Sequence, residues 1–276
     1  MKLSIVTAVC GANQITKQWL HETVGRCAVA PDLEIVANGS TKAEIKELMD
    51  EAGAVYARWN GQGGDWAIHD LKTPQGSTKP LNRGIRYATG DVVACLHNDL
   101  MVRDPGWDTK VLSVFEAPMT PPVGVVGFHG STMLGADEIY RVPYQLPQLA
   151  RGGSVSNMED AESHGGRVTY PVPVVTLDGM ALIARRSDLT KWGGFDERYL
   201  HHMYDHDLCL TARQHGHQNW MLPILVRHIS GQTANAARYN DHLAKIGRGN
   251  DANIHGEAHA AFYEKWRGTG QLPARI

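Results

Sequence analysis

The segment GDVVACLHNDLMV, residues 90–102, places three polar side chains directly after an apolar run. Residues 92–96 follow a Gly-Asp turn signal, which is typical of a strand buried on both faces. His97 and Asp99 then point to the same side of the chain, about 6–7 Å apart. Ligands of open parallel sheets bind beyond the carboxyl ends of strands, so the pair predicts a site for Mg²⁺ or Mn²⁺ with positions open for phosphate oxygens. A polar strand end that turns into a loop explains the two residues equally well.

Two further carboxylates, Asp205 and Asp207, begin a predicted helix over about residues 205–215. The helix dipole and the free N–H groups of the first turn stabilise anions there, so either residue could simply cap the helix. The preceding Gly-Gly-Phe-Asp, residues 193–196, indicates a tight approach of the backbone. Three histidines crowd the same place: His201, His202 and His206. A plain helix cap requires neither feature, and we therefore expect the two aspartates to belong to the site.

His228 follows the apolar run MLPILV, residues 221–226, which predicts a strand. It could supply a third metal ligand, although a single histidine at a strand end is more often structural. His255 and His259 lie one helical turn apart, but Glu257 is at the wrong offset for the metalloprotease pattern H-E-x-x-H. The cysteines are far apart in the chain and form no zinc-binding pairs. The sequence therefore predicts no zinc site.

The first hundred residues alternate strand and helix signals, which predicts a parallel sheet with right-handed crossovers. Strands are predicted at residues 3–9, 33–37, 54–58 and 92–96. Helices are predicted at residues 13–27, after the capping-box pattern at Thr41, and around residues 81–88. Residues 59–78 contain four glycines and two tryptophans with little periodicity. We expect a loop there that borders the site.

Beyond residue 100 the pattern is less regular. A helix is predicted to start at Pro105, and further strands are predicted at residues 123–128, 168–176 and 179–184. Residues 129–166 are rich in Gly, Pro and polar residues and too long for a simple connector, and loops of that length are usually functional or mobile. The tail, residues 231–276, predicts two polar helices.

Composition limits the class of protein. The 276 residues are 42% apolar and 20% charged, which suffices for a full core in one large α/β domain or two small ones. A formal charge of -2 and a pI near 6.7 argue against a nucleic-acid partner. The four separated cysteines indicate buried free thiols and a reducing compartment. Without a long apolar run or a signal-peptide profile, the sequence predicts a soluble, cytoplasmic protein.

Six segments in a fixed order carry a resemblance to a known family: SIVTAV, IVANGST, LNRGIRYATGDVVACLHNDL, DGMALIARR, GGFDERY…YDHDLCL and VRHISG. Together they cover roughly residues 3–232 and resemble the family 2 inverting glycosyltransferases of the GT-A fold. The tail FYEKW, residues 262–266, is faintly similar to bacterial rhamnosyltransferase-like members. The resemblance implies an α/β GT-A fold, with a Rossmann-like, mostly parallel central sheet flanked by helices and a C-terminal helical tail.

The resemblance also implies a domain division and a reaction. Residues 1–230 would form one glycosyltransferase domain, with a nucleotide-sugar-binding half (1–100) and an acceptor-binding half (101–230), followed by a helical extension (231–276). The implied reaction is a metal-dependent transfer, with inversion, of a sugar from a nucleoside-diphosphate donor to an acceptor hydroxyl, with Mn²⁺ or Mg²⁺ as cofactor. A UDP-sugar is expected because it is the commoner donor in the family, with a dTDP-sugar left open. The irregular residues 129–166 would shape the acceptor site.

The motifs assign roles to individual residues by resemblance. HND stands in the place of the family's D-x-D or N-x-D motif, so Asp99 would bind the metal together with His228. Asp205 matches the aspartate that removes the acceptor's proton, and Asp207 matches the one that supports it. The residues expected to bind the donor nucleotide are Thr7, Ala8, Asn38, Lys79, Asn82, His97 and Asn98. Those expected to line the sugar and acceptor pocket are Asp178, Gly179, Trp192 and Gly194.

Some positions depart from the family pattern. Ala37 and Lys42 stand where many relatives carry aspartates, which leaves recognition of the base open. His97 replaces the commoner Asp or Asn and could lie near the ribose or the metal; its imidazole lowers the negative charge of the site. Tyr204 stands where a Glu usually precedes the catalytic Asp. Trp192 could stack on a sugar ring or pack in the core.

Two other readings use the same residues. A sugar nucleotidyltransferase would normally carry a basic, Gly-rich phosphate loop near the N-terminus, of which VCGANQITK is a poor version. A nucleotide-sugar-binding protein of the same fold with little turnover would account for the departures at His97 and Tyr204. A Rossmann dehydrogenase is disfavoured because no G-x-G-x-x-G follows the first strand.

The expected partners are a nucleotide-sugar donor and an acceptor, which could be a glycan, a protein or a small molecule. No nucleic-acid partner and no transmembrane segment are expected. A homodimer is compatible with the sequence.

Overall fold

A computed structural model describes residues 1–11, 13–135, 154–159, 166–229, 237–272 and 274–275. The strands, numbered in chain order, are β1 (Leu3–Val9), β2 (Asp32–Asn38), β3 (Trp66–Leu71), β4 (Val92–Leu96), β5 (Leu100–Val102), β6 (Val123–Gly127), β7 (His129–Ser131), β8 (Met133–Leu134), β9 (Ser154–Ser156), β10 (Gly166–Arg167), β11 (Val172–Val174), β12 (Thr176–Leu177), β13 (Ala181–Arg185), β14 (Gln218–Met221), β15 (Val226–His228) and β16 (Ala274–Arg275). The helices are α1 (Asn13–Glu22), α2 (Lys42–Tyr56), α3 (Thr78–Tyr87), α4 (Trp107–Glu116), α5 (Arg186–Trp192), α6 (Tyr204–Gln214), α7 (Ala237–Lys245) and α8 (Asp251–Trp266).

The central sheet has eight strands in the order β11-β14-β6-β13-β4-β1-β2-β3. β1 pairs in parallel with both β2 and β4, and β3 pairs in parallel with β2. β13 lies antiparallel to its neighbours β4 and β6, and β14 is parallel to β6. The sheet is therefore mixed but mostly parallel. This confirms the predicted α/β fold class and brings the carboxyl ends of β1, β2 and β4 to one edge.

Helices cover both faces of this sheet. Alternate strand residues point to opposite faces, so each face presents apolar side chains against which helices pack. Ile5 and Ala94 belong to a core with α1, α2 and α4, whereas Val6 and Cys95 belong to a second core with α3, α5, α6 and α8. All four cysteines are buried free thiols, as predicted. Within the described ranges, no helix has both the length and the apolar character needed to cross a bilayer.

Two predictions for residues 54–78 are wrong. Residues 54–58 do not form a strand, because α2 continues to Tyr56 with Leu48, Ala52 and Val55 buried along one face. The third parallel strand is instead β3, inside the segment that we expected to be a loop. β3 is the edge strand, and most of its residues are only partly buried. It therefore lacks the continuous apolar run that marks a central strand.

The C-terminal helices α7 and α8 confirm the two helices predicted for the tail, but α8 is not polar. Phe262 and Trp266 are almost fully buried in the same core as Val6 and Leu81. Lys265 of α8 also contacts Asp207 of α6, with its Nζ 2.8 Å from Oδ2. The tail thus packs as part of the main domain.

The region after β6 contributes a small four-stranded sheet in the order β10-β9-β7-β12. Residues 136–153 and 160–165, which include most of the segment expected to shape the acceptor site, lie outside the described residues. The single strand predicted for residues 221–226 is also wrong, because β14 ends at Met221 and β15 begins only at Val226. β15 leaves the main sheet and pairs with β5.

Candidate active site

The turn between β4 and β5 holds His97, Asn98 and Asp99. The N–H of His97 donates to the carbonyl of Met180 (3.0 Å), which ties the turn to the start of β13. β5 pairs antiparallel with β15, and the register places His228 opposite Leu100. The N–H of Ile229 donates to the carbonyl of Asp99 (3.2 Å). Two strand ends that are more than 120 residues apart in the chain therefore meet at one point.

His97, Asp99 and His228 form a compact cluster whose ligating atoms all lie within 4.8 Å of one another. Nε2 of His228 is 3.2 Å from Oδ1 of Asp99 and 3.4 Å from Nδ1 of His97. Nδ1 of His97 is 3.9 Å from the same carboxylate oxygen. One carboxylate and two imidazoles thus lie around a single small space.

The electrostatics of this cluster fit a divalent cation. Oδ1 of Asp99 is buried and accepts no aligned hydrogen bond from the described residues, a state that is costly without a cation. Burial raises the pKa of Asp99, but the contact with His228 and the interaction with the nearby imidazoles outweigh it, so the pKa lies below its ordinary value. Burial lowers the pKa of His97, which keeps its imidazole neutral and able to ligate. The donor set combines a carboxylate oxygen, which Mg²⁺ and Mn²⁺ favour, with imidazole nitrogens, which other transition-metal ions favour.

Tyr204, the first residue of α6, orients His97. Nε2 of His97 is 2.8 Å from the Tyr204 hydroxyl, which also lies 3.5 Å from the carbonyl of Gly179. Burial raises the pKa of Tyr204 well above its ordinary value, so the phenol stays neutral. It can then accept from Nε2–H and donate to the Gly179 carbonyl, which leaves the Nδ1 lone pair directed at the cluster. A side chain at position 179 is excluded, because its Cβ would lie 2.4 Å from the Tyr204 hydroxyl oxygen.

Asp205 lies in the first turn of α6, beside Tyr204. Its Oδ2 accepts from the N–H of Gly179 (2.9 Å), and its Oδ1 lies 3.0 Å from Nδ1 of His206. Burial raises the pKa of Asp205, but the imidazole of His206 and the backbone donors lower it to about 2. The carboxylate is therefore ionised at neutral pH, and contacts through Gly179, Tyr204 and His97 link it to the cluster that contains Asp99.

A cleft lined by Asp99, His228 and Tyr204 encloses about 660 Å³ of space, part of it open to solvent, and Asp205 is not among its lining residues. Four of the predicted donor-binding residues line it: Ala8, Asn38, His97 and Asn98. Thr7 lies behind Ala8, fully buried, and its hydroxyl has no hydrogen-bond partner among the described residues. Asp178 and Gly179 form the turn before β13, where Oδ1 of Asp178 accepts from the N–H of Met180 (2.9 Å).

The cleft also contains residues that the sequence predictions missed: Cys10, Gly76, Ser77, Leu81, Leu96 and His201. Ser77 lies in the glycine-rich segment that was expected to border the site, so its position could have been anticipated. His201 belongs to the group of histidines before α6, and Nδ1 of its ring is 2.6 Å from the Ser77 hydroxyl. No local pattern distinguishes Cys10 and Leu96 from other apolar strand residues.

Three predicted pocket residues hold other parts of the fold together. Asn82 donates to the carbonyl of Phe195 (2.8 Å) and accepts from its N–H (2.8 Å), which anchors the loop after α5. Gly194, just after α5, has a positive φ of 73°. It lies so close to Asn82 that a Cβ added at this position would be 2.5 Å from Oδ1 of Asn82. Trp192 stacks on His215, at the far end of α6 from the site. These contacts assign all three residues to packing.

The last two predicted residues also point away from the cluster. Asp207 is buried, and its carboxylate contacts Lys265 (2.8 Å), Trp266 Nε1 (2.8 Å) and the Tyr199 hydroxyl (3.2 Å). Asp207 was expected to support Asp205. This expectation is wrong, because the carboxylate of Asp207 is engaged with α8 instead. Lys79 is exposed on α3 and is not part of the cleft lining.

The model of the family described as Glycosyl transferase family 2 matches residues 4–183. No curated protein matches the chain significantly. Among solved structures, the mannosyltransferase PcManGT from Pyrobaculum calidifontis, in complex with GDP-Man and Mn²⁺, is 15% identical with a TM-score of 0.57, covering 99% of this chain and 72% of its own.

Two further structures have the same fold. GalNAc-T7, crystallised with UDP, GalNAc and Mn²⁺, is 15% identical with a TM-score of 0.56, over 88% of this chain and 48% of that one. Residues 1–349 of S. aureus TarS in complex with UDP-GlcNAc are 12% identical with a TM-score of 0.52, over 98% and 75% of the two chains. At these identities the structural likeness shows the fold, and the family match shows the membership.

Proposed function

Because the chain belongs to glycosyl transferase family 2 and transfers a sugar from a nucleotide-sugar donor, we propose that this transfer requires a divalent cation and uses Asp205 as its general base. The observation that carries the proposal is the link between two sites. The Tyr204 hydroxyl contacts His97 of the metal-binding cluster (2.8 Å), and Asp205 follows Tyr204 directly at the start of α6. The cluster that would bind the metal lines the cleft together with Tyr204, and the ionised carboxylate belongs to the residue that follows Tyr204.

Asp99, His97 and His228 would hold Mn²⁺ or Mg²⁺, whose charge would neutralise the negative charge that develops on the departing nucleoside diphosphate. The chain's own residues prepare this arrangement. The hydrogen bond to Tyr204 fixes the tautomer of His97, and the β5–β15 pairing fixes the separation of Asp99 and His228. The nucleoside would lie over the ends of β1 and β2, beside Ala8 and Asn38.

Asp205 would take the proton of the acceptor hydroxyl as that hydroxyl attacks the anomeric carbon, which inverts the configuration. A general base acts best when it is ionised at working pH and within reach of the proton, and the Gly179 N–H holds the carboxylate in place. With a pKa of about 2, the carboxylate is ready to accept a proton only while the attacking oxygen becomes acidic in the transition state. This timing favours concerted proton transfer.

The donor is proposed to be a UDP-sugar, with a dTDP-sugar as the second candidate. Two of the three compared structures hold UDP or UDP-GlcNAc, which supports a uridine nucleotide, whereas the third holds GDP-Man. Asn38 uses both ends of its side chain within the protein, donating to the Gly76 carbonyl and accepting from the Gln75 N–H. These two bonds fix the backbone of residues 75–76 beside the cleft, which Asn38 and Gly76 line.

A screen of sugar nucleotides with Mn²⁺ tests the proposal without knowledge of the acceptor. We expect slow release of free nucleoside diphosphate from UDP-sugars, abolished by EDTA and by Asp99→Ala. Asp104→Ala, which removes an aspartate bonded to Lys110 outside the cleft, is the matched control and should retain the activity. Release of pyrophosphate, as from a nucleotidyltransferase, or binding without any turnover would contradict the proposal.

A further inference from the structure

A second group of metal-ligating side chains lies beside the cleft. His201 and His202 precede α6, and Asp251 is the first residue of α8. The ligating atoms of the three residues all lie within 4.8 Å of one another, which is the same compactness as in the first cluster. None of the three residues was predicted to bind metal, because the carboxylate comes from a segment about 50 residues further along the chain.

The contacts within this group leave ligating atoms directed inward. Nε2 of His202 is 2.9 Å from Oδ2 of Asp251, while Oδ1 of Asp251 is buried without a hydrogen-bond partner among the described residues. Nδ1 of His201 is engaged by the Ser77 hydroxyl at 2.6 Å, so Nε2 is the nitrogen through which His201 can ligate. A buried carboxylate oxygen without a partner is an unusual feature that a bound cation explains.

The backbone that presents the histidines is strained. His202 and Met203 both have φ of 58°, and two consecutive non-glycine residues in the left-handed region are rare. Such strain persists only when the surrounding structure holds it in place, and it concentrates at binding sites. Here it turns the His202 ring toward α8, where it packs against the ring of His255 at 4.8 Å.

The charges around the group favour the ligating forms of its members. Burial and the neighbouring imidazole of His202 lower the pKa of His201 to about 3. Burial and the imidazoles of His202 and His259 lower the pKa of His255. Burial raises the pKa of Asp251, but the hydrogen bond to His202 and the nearby imidazole charges lower it overall. An uncharged His201 imidazole and an ionised Asp251 carboxylate are forms that can bind a transition-metal ion.

We propose that His201, His202 and Asp251 form a second metal site, selective for an imidazole-binding divalent ion such as Zn²⁺. Two nitrogens and one carboxylate oxygen make up three of the four ligands of a tetrahedral zinc ion. The ring of His255, one helical turn after Asp251, lies 4.8 Å from that of His202, next to these three residues. The bound ion would fasten the C-terminal helix α8 to the loop that carries His201 into the donor cleft.

This site is distinct from the one proposed to hold Mn²⁺, and the test must keep the two apart. The double variant Asp99→Ala/His228→Ala removes two ligands of the first cluster, and no sugar nucleotide is required. Titration of this protein with Co²⁺, a spectroscopic stand-in for Zn²⁺, should give visible absorption of a tetrahedral complex that saturates at one equivalent. Zn²⁺ should displace the Co²⁺ and raise the melting temperature of the protein.

Two substitutions in that background locate the ion. Asp251→Asn keeps the shape of the side chain, and His202→Asn keeps a residue type that tolerates a positive φ. Both should abolish the absorption and the thermal shift. His21→Ala, which removes an exposed His–Glu contact of 2.5 Å on another face, should change neither. Circular dichroism of each variant reports whether it is folded.

A direct readout covers the case in which a variant fails to fold. In the double-variant background, Zn²⁺ should shift the imidazole NMR signals of His201 and His202 and leave those of His21 unchanged. Absence of any Co²⁺ or Zn²⁺ binding, or equal binding by folded Asp251→Asn protein, would overturn the proposal and leave His202 and Asp251 as a plain ion pair. Neither result would bear on donor turnover, which is measured separately.

Discussion

At the scale of single residues, Asp205 is the group on which the proposed chemistry depends most. Asp205→Asn keeps the hydrogen bond from the Gly179 N–H but removes the ability to accept a proton. We expect kcat to fall by about 10²–10⁴-fold, the usual contribution of a general base, while donor affinity stays within about twofold. Steady-state transfer assays and calorimetry with the donor measure the two quantities. Transfer at the wild-type rate would show that another group takes the proton.

The Tyr204 hydroxyl should act through His97 on the metal. Tyr204→Phe removes the contact that fixes the tautomer of His97, so part of the imidazole would carry its proton on Nδ1, which faces the cluster. Loss of such an orienting hydrogen bond typically lowers metal affinity by about 10–100-fold, and we expect Mn²⁺ binding to weaken in that range. Calorimetric titration with Mn²⁺ measures it.

Tyr199→Phe is the matched control for that experiment. It removes another buried hydroxyl, which contacts Asp207 rather than the cluster, and Mn²⁺ affinity should then stay unchanged. If Tyr204→Phe and Tyr199→Phe bind Mn²⁺ with equal affinity, Tyr204 has no orienting role.

The Asp205–His206 contact should make stability depend on pH in a defined window. The pKa of Asp205 is lowered to about 2, so its contribution to stability exists above its unfolded pKa near 3.8 and is lost as the pH falls through about 2. Burial lowers the pKa of His206, but Asp205 raises it more, so the pKa is raised overall. The contribution of His206 to stability is therefore fully present below its unfolded pKa near 6.5 and is lost as the pH rises through its folded pKa. The pair is therefore strongest between about pH 4 and 6.5.

Urea denaturation at two pH values tests this window. The loss of unfolding free energy caused by Asp205→Asn should be larger at pH 5 than at pH 9, because His206 is neutral at the higher pH. The hydrogen bond from the Gly179 N–H is kept equally at both pH values, so it does not contribute to the difference. A loss that does not change with pH would contradict an ion pair between the two side chains.

At the scale of elements, α6 explains why Asp205 and Asp207 differ although both begin the same helix. Each helical residue turns by about 100°, so residues two apart point roughly 200° away from each other and cannot both face one cleft. Asp207 instead holds Lys265 and Trp266 of α8.

Asp207→Ala should lower the free energy of unfolding by about 1–3 kcal/mol, because it leaves buried donors without partners, while kcat of the folded enzyme stays within about twofold. Chemical denaturation measures the free energy of unfolding, and transfer assays measure kcat. A large loss of kcat at unchanged stability would show that Asp207 takes part in the reaction.

The elements also show what the sequence could reveal. Strong local signals were sufficient for β1, β2, β4 and the capping box of α2, where the Thr41 side chain accepts from the Glu44 N–H. The pairing of Asp99 with His228 was expected from the family resemblance, and it arises because β15 leaves the main sheet and pairs with β5. The sequence could not reveal the role of Asn82, because its partners, Phe195 and Glu197, lie more than 110 residues away. Nor does a local pattern show that an edge strand such as β3 is present, since it is only partly buried.

At the scale of the whole molecule, the tail tests whether the chain is one cooperative unit. Phe262 of α8 is fully buried in the core that also holds Val6 and Leu81, so α8 completes one face of the central sheet. Phe262→Ala should lower the free energy of unfolding by about 3–5 kcal/mol through lost burial and the cavity left behind. The whole transition should move, whether it is followed by far-ultraviolet circular dichroism or by tryptophan fluorescence.

Glu264→Ala, an exposed change on the same helix, is the matched control and should alter stability by less than about 0.5 kcal/mol. Because α8 also carries Asp251 and Lys265, its docking reaches both the histidines beside the donor cleft and Asp207 of α6. Unfolding of the tail therefore has to disturb the loop that brings His201 to the cleft, and donor binding should fail at the same denaturant concentration as the fold. If Phe262→Ala instead produced a separate early transition with donor binding intact, residues 237–266 would be an appended unit and the link between tail and active site would be lost.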